Sequence, residues 1–319
     1  MSMLNLRSDR NIIYLLVIMA AILLLQGMFN AGAFFSVSNF QSMTSQMPLL
    51  GMLALAMSVC MLTGGINLSI IATTNACGLV MASVMASVMA MSPGDGAMLL
   101  PALLAGLVTA VIIGLINGFL IAFVGVSPIL ATLGMMTLIN GLNVLISGGT
   151  VISGFPPSLL WLGNGTLLGI PMPLILFLLF AFLLWGLLEY TPLGRTVYLM
   201  GSNEKATRFS GLNTQKTIMA VYVISSVLCW VAAIIMMAKF NSAKAGYGES
   251  YLLIAILASV LGGVNPDGGF GRIIGIVLAL FVLQMLESGL NLLGVSSYLI
   301  MALWGGILIL FIALQKARS

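Results

Sequence analysis

The sequence predicts an all-α fold, a polytopic membrane helical bundle of about ten transmembrane helices with broken or re-entrant segments. Three observations carry this. Of 319 residues, 61% are hydrophobic and only 6% charged. Mean hydropathy is +1.20, which excludes a water-soluble core-and-surface composition. Runs near or above the roughly 18 to 20 apolar residues that a helix needs to cross hydrocarbon recur from end to end, without the alternating polarity of barrel strands. The whole chain, 1–319, reads as one transmembrane domain with one polar loop at about 190–216.

The first span, 11–32, has an arginine-containing lead, and Ala31-Gly32-Ala33 behind it mimics a signal-peptide cleavage site. Its apolar run exceeds a signal core, so it reads as an uncleaved span. Further spans fall at 47–64, 68–91, 97–123 and 128–147, then at 170–189, 217–238, 250–263, 271–291 and 295–314. The eighth is too short to cross fully. The ninth and tenth are open to a second reading, one re-entrant unit plus a span, so nine or eleven crossings are the alternatives to ten.

Small residues recur at four-residue spacing, as Gly106, Ala110, Gly114 and Gly118, and as Ala82, Ala86 and Ala90 beside Ser83 and Ser87. Such stripes let helix backbones approach closely in lipid, so packing is the first reading and a pathway wall the second. Two glycine-rich strings, TGGINLS at 63–69 and LGGVNPDGGFG at 261–271, interrupt helical runs. They predict turns or unwound membrane segments where the chain lines a cavity or meets water. Both contain G-G-[IV]-N, and FVGVSPIL resembles LLGVSSYL, which hints at an internal duplication. The unequal spacing between the two strings weakens that hint.

Ten spans put Arg7, Arg10, Arg195, Lys205, Arg208, Lys216, Arg272, Lys316 and Arg318 on one side, nine of the eleven basic residues, and leave Lys239 and Lys244 opposite. Basic short connections face the cytoplasm, so both termini and the polar loop are assigned there.

Absences narrow the function. The chain has no histidine, and therefore neither histidine acid–base catalysis nor histidine-ligated metal. It has no G-x-x-x-x-G-K-[ST] string, so any ATP that drives it must bind elsewhere. Among acidic residues only Glu287 lies well within a span, which disfavours an ion-coupled secondary transporter. Cys60, Cys77 and Cys229 lack metal-type spacing and read as small packing residues. No catalytic and no metal-ligating residue is assigned.

Asn67, Asn75, Asn117, Asn140 and Asn143 lie at or near membrane depth, where an unsatisfied amide is costly. Each either bonds to a neighbouring helix or faces a wet path. As a set, together with Gly64 and Gly65, they are the candidate translocation-pathway residues, better suited to a polyol or sugar than to an ion.

The longest polar passage is TPLGRTVYLMGSNEKATRFSGLN, residues 191–213. Pro192 and Gly194 end the preceding span. Ser202 or Asn203 caps a short helix that runs to about Ser210, with Glu204 in its first turn and Gly211 at its stop. Ala206, Phe209 and Leu212 give it an apolar edge. A helix this short is marginal in water, so either its own membrane domain or a partner's groove must hold it.

That passage, with MLTGGINLSI, SPILATLGMMTLINGL and GYGESYLLIAILASVLGGVNPDGGFG, resembles the membrane permease subunits of ATP-binding-cassette importers of the ribose, galactoside, xylose and autoinducer-2 type. The likeness runs over most of the chain in the same order. It implies that the segment after G-x-N is the cytoplasmic coupling helix that meets the ATPase, with Asn203, Glu204, Arg208, Phe209, Ser210 and Gly211 as contact or shaping residues. It further implies a subunit without enzymatic activity of its own. ATP and Mg would be bound by separate ATP-binding cassette subunits, a second permease would complete the path, and a periplasmic or extracellular solute-binding protein would cap it. The setting would be membrane lipid of a bacterial cytoplasmic (inner) membrane, with no nucleic acid involved. Branched-chain amino-acid permeases share the plan and are the alternative. Two departures stand out: Asn67 where the family usually has Asp, and Asn265-Pro266-Asp267 where it usually has a Ser/Gly-rich turn.

Overall fold

A computed structural model describes residues 2–91 and 99–317. Ala90 and four basic residues of the charge count, Arg7, Arg10, Lys316 and Arg318, have side chains outside that description, as has the start of the span expected at 97–123.

Helix α1 (Ser2–Phe34) kinks at Asn30 and returns through Ser36, whose side chain accepts from the Asn39 amide to cap α2 (Val37–Met61). This helix begins ten residues before the expected 47–64 span, because a capped polar lead extends it beyond the apolar run. Apolar on every side from Met47 onward, α2 is buried to its end at Met61 save for half-buried Leu50, at the centre of the bundle. The chain then unwinds over 62–69 and re-enters as α3 (Ile70–Met91). Helix α4 (Leu99–Phe119) ends in a π turn at Leu120–Val124, closed by Gly125 in the left-handed region. Its small-residue stripe packs on a later helix: a Cβ on Gly114 would lie 2.7 Å from Val223 Cα. Helix α5 (Pro128–Ser147) packs on α3 through Ala131, Met135, Ile139 and Asn143.

The connection beyond α5 is built, not loose. It holds strand β1 (Ile152–Ser153), helix α6 (Pro157–Asn164) and a hairpin of β2 (Thr166–Leu167) and β3 (Ile170–Pro171). Leu168 and Gly169 form its two-residue turn with φ of 53° and 81°, the left-handed pair that matches hairpin twist.

Helix α7 (Met172–Tyr190) crosses back. It is followed by α8 (Pro192–Ser202) and α9 (Glu204–Phe209), and α10 (Thr214–Phe240) returns. At its far end Asn241 adopts a left-handed conformation and β4 (Ser242–Ala243) pairs antiparallel with β1. Helix α11 (Tyr251–Leu261) has 11 residues, about 16 Å of rise against the roughly 30 Å of hydrocarbon. Irregular segments at 244–250 and 262–271 flank it; the first is docked where Asn75 Nδ2 donates to Tyr247 O at 3.0 Å. The short eighth span thus is a half-length helix between unwound stretches. The last two spans are separate helices, α12 (Ile273–Leu292) and α13 (Ser297–Ala317), rather than a re-entrant unit and a span.

Eight helices among the described residues are long and apolar enough to cross a membrane, and α11 and α13 add shorter apolar stretches. Around α2 and α10 these helices form one core in which Leu53, Leu55, Tyr222, Val231, Leu257 and Ile276 are buried together.

Candidate functional site

The two glycine-rich breaks, far apart in sequence, meet in space. The Gly269 amide donates to Leu62 O at 2.9 Å. A Cβ on Gly268 would lie 2.7 Å from the Gly64 nitrogen. The Asn265-Pro266-Asp267 departure still makes a turn: Asn265 Oδ1 accepts from the Asp267 amide at 3.2 Å, and the Gly268 amide donates to Asn265 O at 3.0 Å.

The polar passage between α7 and α10 lies at the same end. Thr191 accepts from the Gly194 amide and Pro192 takes the first helical position, where its missing N–H costs nothing, so α8 starts immediately after α7 stops. The proline expected only to end a span also starts a helix. On α8, Tyr198 donates its hydroxyl to Gly271 O at 3.0 Å. Burial, then the nearby Glu189 carboxylate, pushes the Tyr198 phenol up to about 12, with Arg272 acting in the opposite sense.

Asn203 caps α9: its Oδ1 accepts from the Ala206 amide at 2.9 Å. Gly211 follows the Ser210 C-cap of α9 at φ 81°. Glu204, Lys205, Arg208 and Ser210 are exposed, and Phe209 is 92% exposed. Thr207 is the buried residue of α9, and its hydroxyl donates to Asn203 O at 2.8 Å. Six residues cannot sustain a helix alone. Here a cap and one buried threonine hold it while its bulkiest apolar side chain points outward.

The first break is stitched from within. Asn67, 1% exposed, donates through Nδ2 to Ser225 Oγ at 3.0 Å and accepts at Oδ1 from the Ser69 amide and hydroxyl at 3.1 and 2.7 Å. Asn117 donates to Ser69 Oγ at 3.0 Å, and Ser225 donates to Ala56 O at 2.8 Å. Thr132 Oγ1 lies 3.1 Å from both Ile66 O and the Leu68 amide. Asn143 donates to Ala72 O at 3.1 Å. Thr132 of α5 therefore meets backbone freed by the unwinding, at Ile66 and Leu68, while Asn117 of α4 and Ser225 of α10 hold the break through the side chains of Ser69 and Asn67, as membrane depth demands.

Of the seven pathway candidates, Gly65, Asn67, Asn75, Asn117 and Asn143 are buried, Gly64 is exposed, and Asn140 is half-buried on α5. The Oδ1 atoms of Asn75, Asn117 and Asn143 are buried without a partner among the described residues. Sequence reasoning missed Ser69, Thr132, Ser225 and Tyr198, because a lone hydroxyl in an apolar run carries no signal until its acceptor is known. Among the described residues no group of three or more His, Cys, Asp or Glu is placed to hold a metal ion.

Residues 39–312 match the family model described as branched-chain amino acid transport system / permease component. The chain is 36% identical over 273 residues to the autoinducer 2 import system permease protein LsrD of Photorhabdus laumondii, covering 84% of this chain and 80% of the relative. It is 35% identical to the protein of the same name from Yersinia enterocolitica, covering 84% and 81%. It is 34% identical over 289 residues to the ribose import permease protein RbsC of Bacillus subtilis, covering 90% and 87%. No solved structure matches it.

Proposed function

The chain belongs to the permease family whose model spans residues 39–312, and from that premise we propose that it is the membrane subunit of an ATP-binding-cassette importer for a sugar or sugar-like neutral solute. The observation that carries the reading is the exposed, capped α9 with Phe209 turned outward at the end where both unwound segments converge. An amphipathic knob held this rigidly fits a groove on a partner. The relatives named for ribose and autoinducer 2 support a sugar-like solute over a branched-chain amino acid.

In this reading α9 enters an ATPase subunit through Asn203, Glu204, Arg208, Phe209, Ser210 and Gly211. ATP and Mg stay on that partner, and this chain performs no covalent chemistry. The end bearing α8 and α9, with both termini, faces the cytoplasm of a bacterial inner membrane, as the basic-residue bias supports. The opposite end, with α6 and the two small sheets, faces a solute-binding protein. A second permease, the same or homologous, encloses the path. Asn67 and Asn117 brace the wall formed by Gly64, Gly65 and the unwound segment, Asn143 holds α5 to α3, Asn75 holds the 244–250 segment, and half-buried Asn140 completes the pathway set. Switching between outward- and inward-open states is a rigid-body change driven by the ATPases.

The test is ATPase copurification and binding-protein-stimulated hydrolysis in lipid nanodiscs, comparing the unchanged chain with Glu204→Ala and Arg208→Ala. Loss of association or stimulation in the variants supports the reading. Absence of any copurifying ATPase with the unchanged chain sinks it.

A further inference from the structure

We propose that Tyr198 and Gly201 on α8 are positioning residues that lock the partner-facing end of the chain to both unwound membrane segments, so that the three move as one body. The proposal rests on the importer reading above.

Three backbones meet at this point. Gly201 sits against Leu62 O and the Gly269 amide so closely that a Cβ there would collide with both. Leu62 O and the Gly269 amide are themselves bonded at 2.9 Å. A Cβ on Gly268 would fall 2.9 Å from Gly201 Cα and 2.7 Å from the Gly64 nitrogen, and one on Gly269 would fall 2.9 Å from the Ser202 nitrogen. The Tyr198 hydroxyl closes the junction on Gly271 O at 3.0 Å.

Glycine on every face removes the side chains that would otherwise slip past one another. What remains is backbone on backbone, and close-packed contacts of this kind pass displacement on rather than absorbing it. The segment just before α9 is thereby joined to 62–69, which carries Asn67, and to 262–271, which leads into α12. Only two residues, Ser202 and Asn203, separate Gly201 from the first residue of α9. A push on α9 thus reaches both unwound segments without passing along a flexible loop.

The experiment uses the full chain assembled with its ATPase subunits in nanodiscs. Spin labels are placed at Ser202 and Asp267, both exposed, and in a second sample at Asp267 of each permease copy. Distances are read without nucleotide and after ATP–vanadate trapping. The junction predicts that Ser202–Asp267 changes by less than about 2 Å while the copy-to-copy distance changes by about 5 Å, the scale of a one-turn shift of one element past another. In Gly201→Ala, Ser202–Asp267 widens on trapping and the copy-to-copy change shrinks by at least about half. Tyr198→Phe, which removes one hydrogen bond and no packing volume, gives the same direction with smaller amplitude and carries the test if Gly201→Ala does not accumulate. A Ser202–Asp267 change as large as the copy-to-copy one, no change in either distance, or variants that respond like the unchanged chain would overturn the proposal. Failure to assemble any ATPase complex with the unchanged chain would instead defeat the importer reading.

Discussion

Asn67 and Ser225, 158 residues apart in sequence, are joined by a 3.0 Å hydrogen bond inside the bundle. The bond holds an unwound segment to the middle of α10, and Ser225 passes the restraint to Ala56 O on α2 at 2.8 Å. One amide therefore ties α10 both to α2 and to the unwound segment that follows α2.

Asn67→Leu leaves the Ser69 amide and hydroxyl and the Ser225 hydroxyl with fewer partners where no water reaches. Orphaning buried polar groups costs about 1–3 kcal/mol each. The variant should show a lower thermal midpoint in detergent by differential scanning fluorimetry, with Asn67→Asp milder because its carboxylate keeps the Ser69 contacts. A Leu variant as stable as the parent would show that the network is not a brace.

Asn203→Ala removes the side chain that caps α9. Cap loss costs about 1 kcal/mol, borne locally because α9 has only six residues. Hydrogen exchange at Thr207 and Phe209 should accelerate several-fold while amides of α10 stay protected. Equal acceleration in both helices would contradict a local role.

Phe209 is 92% exposed, so Phe209→Ala should leave the melting temperature of the isolated chain unchanged, as exposed substitutions shift stability by less than about 0.5 kcal/mol. Association with the ATPase subunits should weaken by at least about tenfold, as for an aromatic anchor in a groove. Biolayer interferometry on nanodisc-embedded protein reads this directly.

Gly114→Val forces a branched side chain against the backbone of α10 at Val223. Overpacking of this kind costs about 1–3 kcal/mol. A drop in thermal midpoint is expected, whereas Gly134→Val, at a position with open space around it, should be silent.

Alkaline pH tests the Tyr198 bond. Its phenol is pushed from the usual 10.0 to about 12, chiefly by burial. The folded state keeps a proton that the unfolded state gives up, so the associated stability is complete below pH 10 and is lost as pH rises through 12. The unchanged chain should therefore lose more stability across that window than Tyr198→Phe, measured by urea unfolding in detergent. Parallel losses would place Tyr198 in solvent.

Composition and hydropathy alone determined that the chain is a helical membrane bundle, because an apolar run long enough to cross hydrocarbon has few other folds open to it. The local grammar of 203–211 was equally legible. A capping asparagine, an acidic first turn and a terminal glycine specify a short helix from neighbouring residues alone, and Asn203, Glu204 and Gly211 occupy those places. The start of α2 at Val37 was not legible, since its polar lead lacks the apolar signal on which span detection depends. Nor was the helix that begins at Pro192.

Only the tertiary structure decided that 62–69 and 262–271 touch, that Gly201 fits between them, and that Asn67 is answered by Ser225. Glycine and asparagine announce that backbone will be freed or an amide buried. Which partner satisfies it is set by helix packing over long sequence separations, and a single sequence carries no record of that distance.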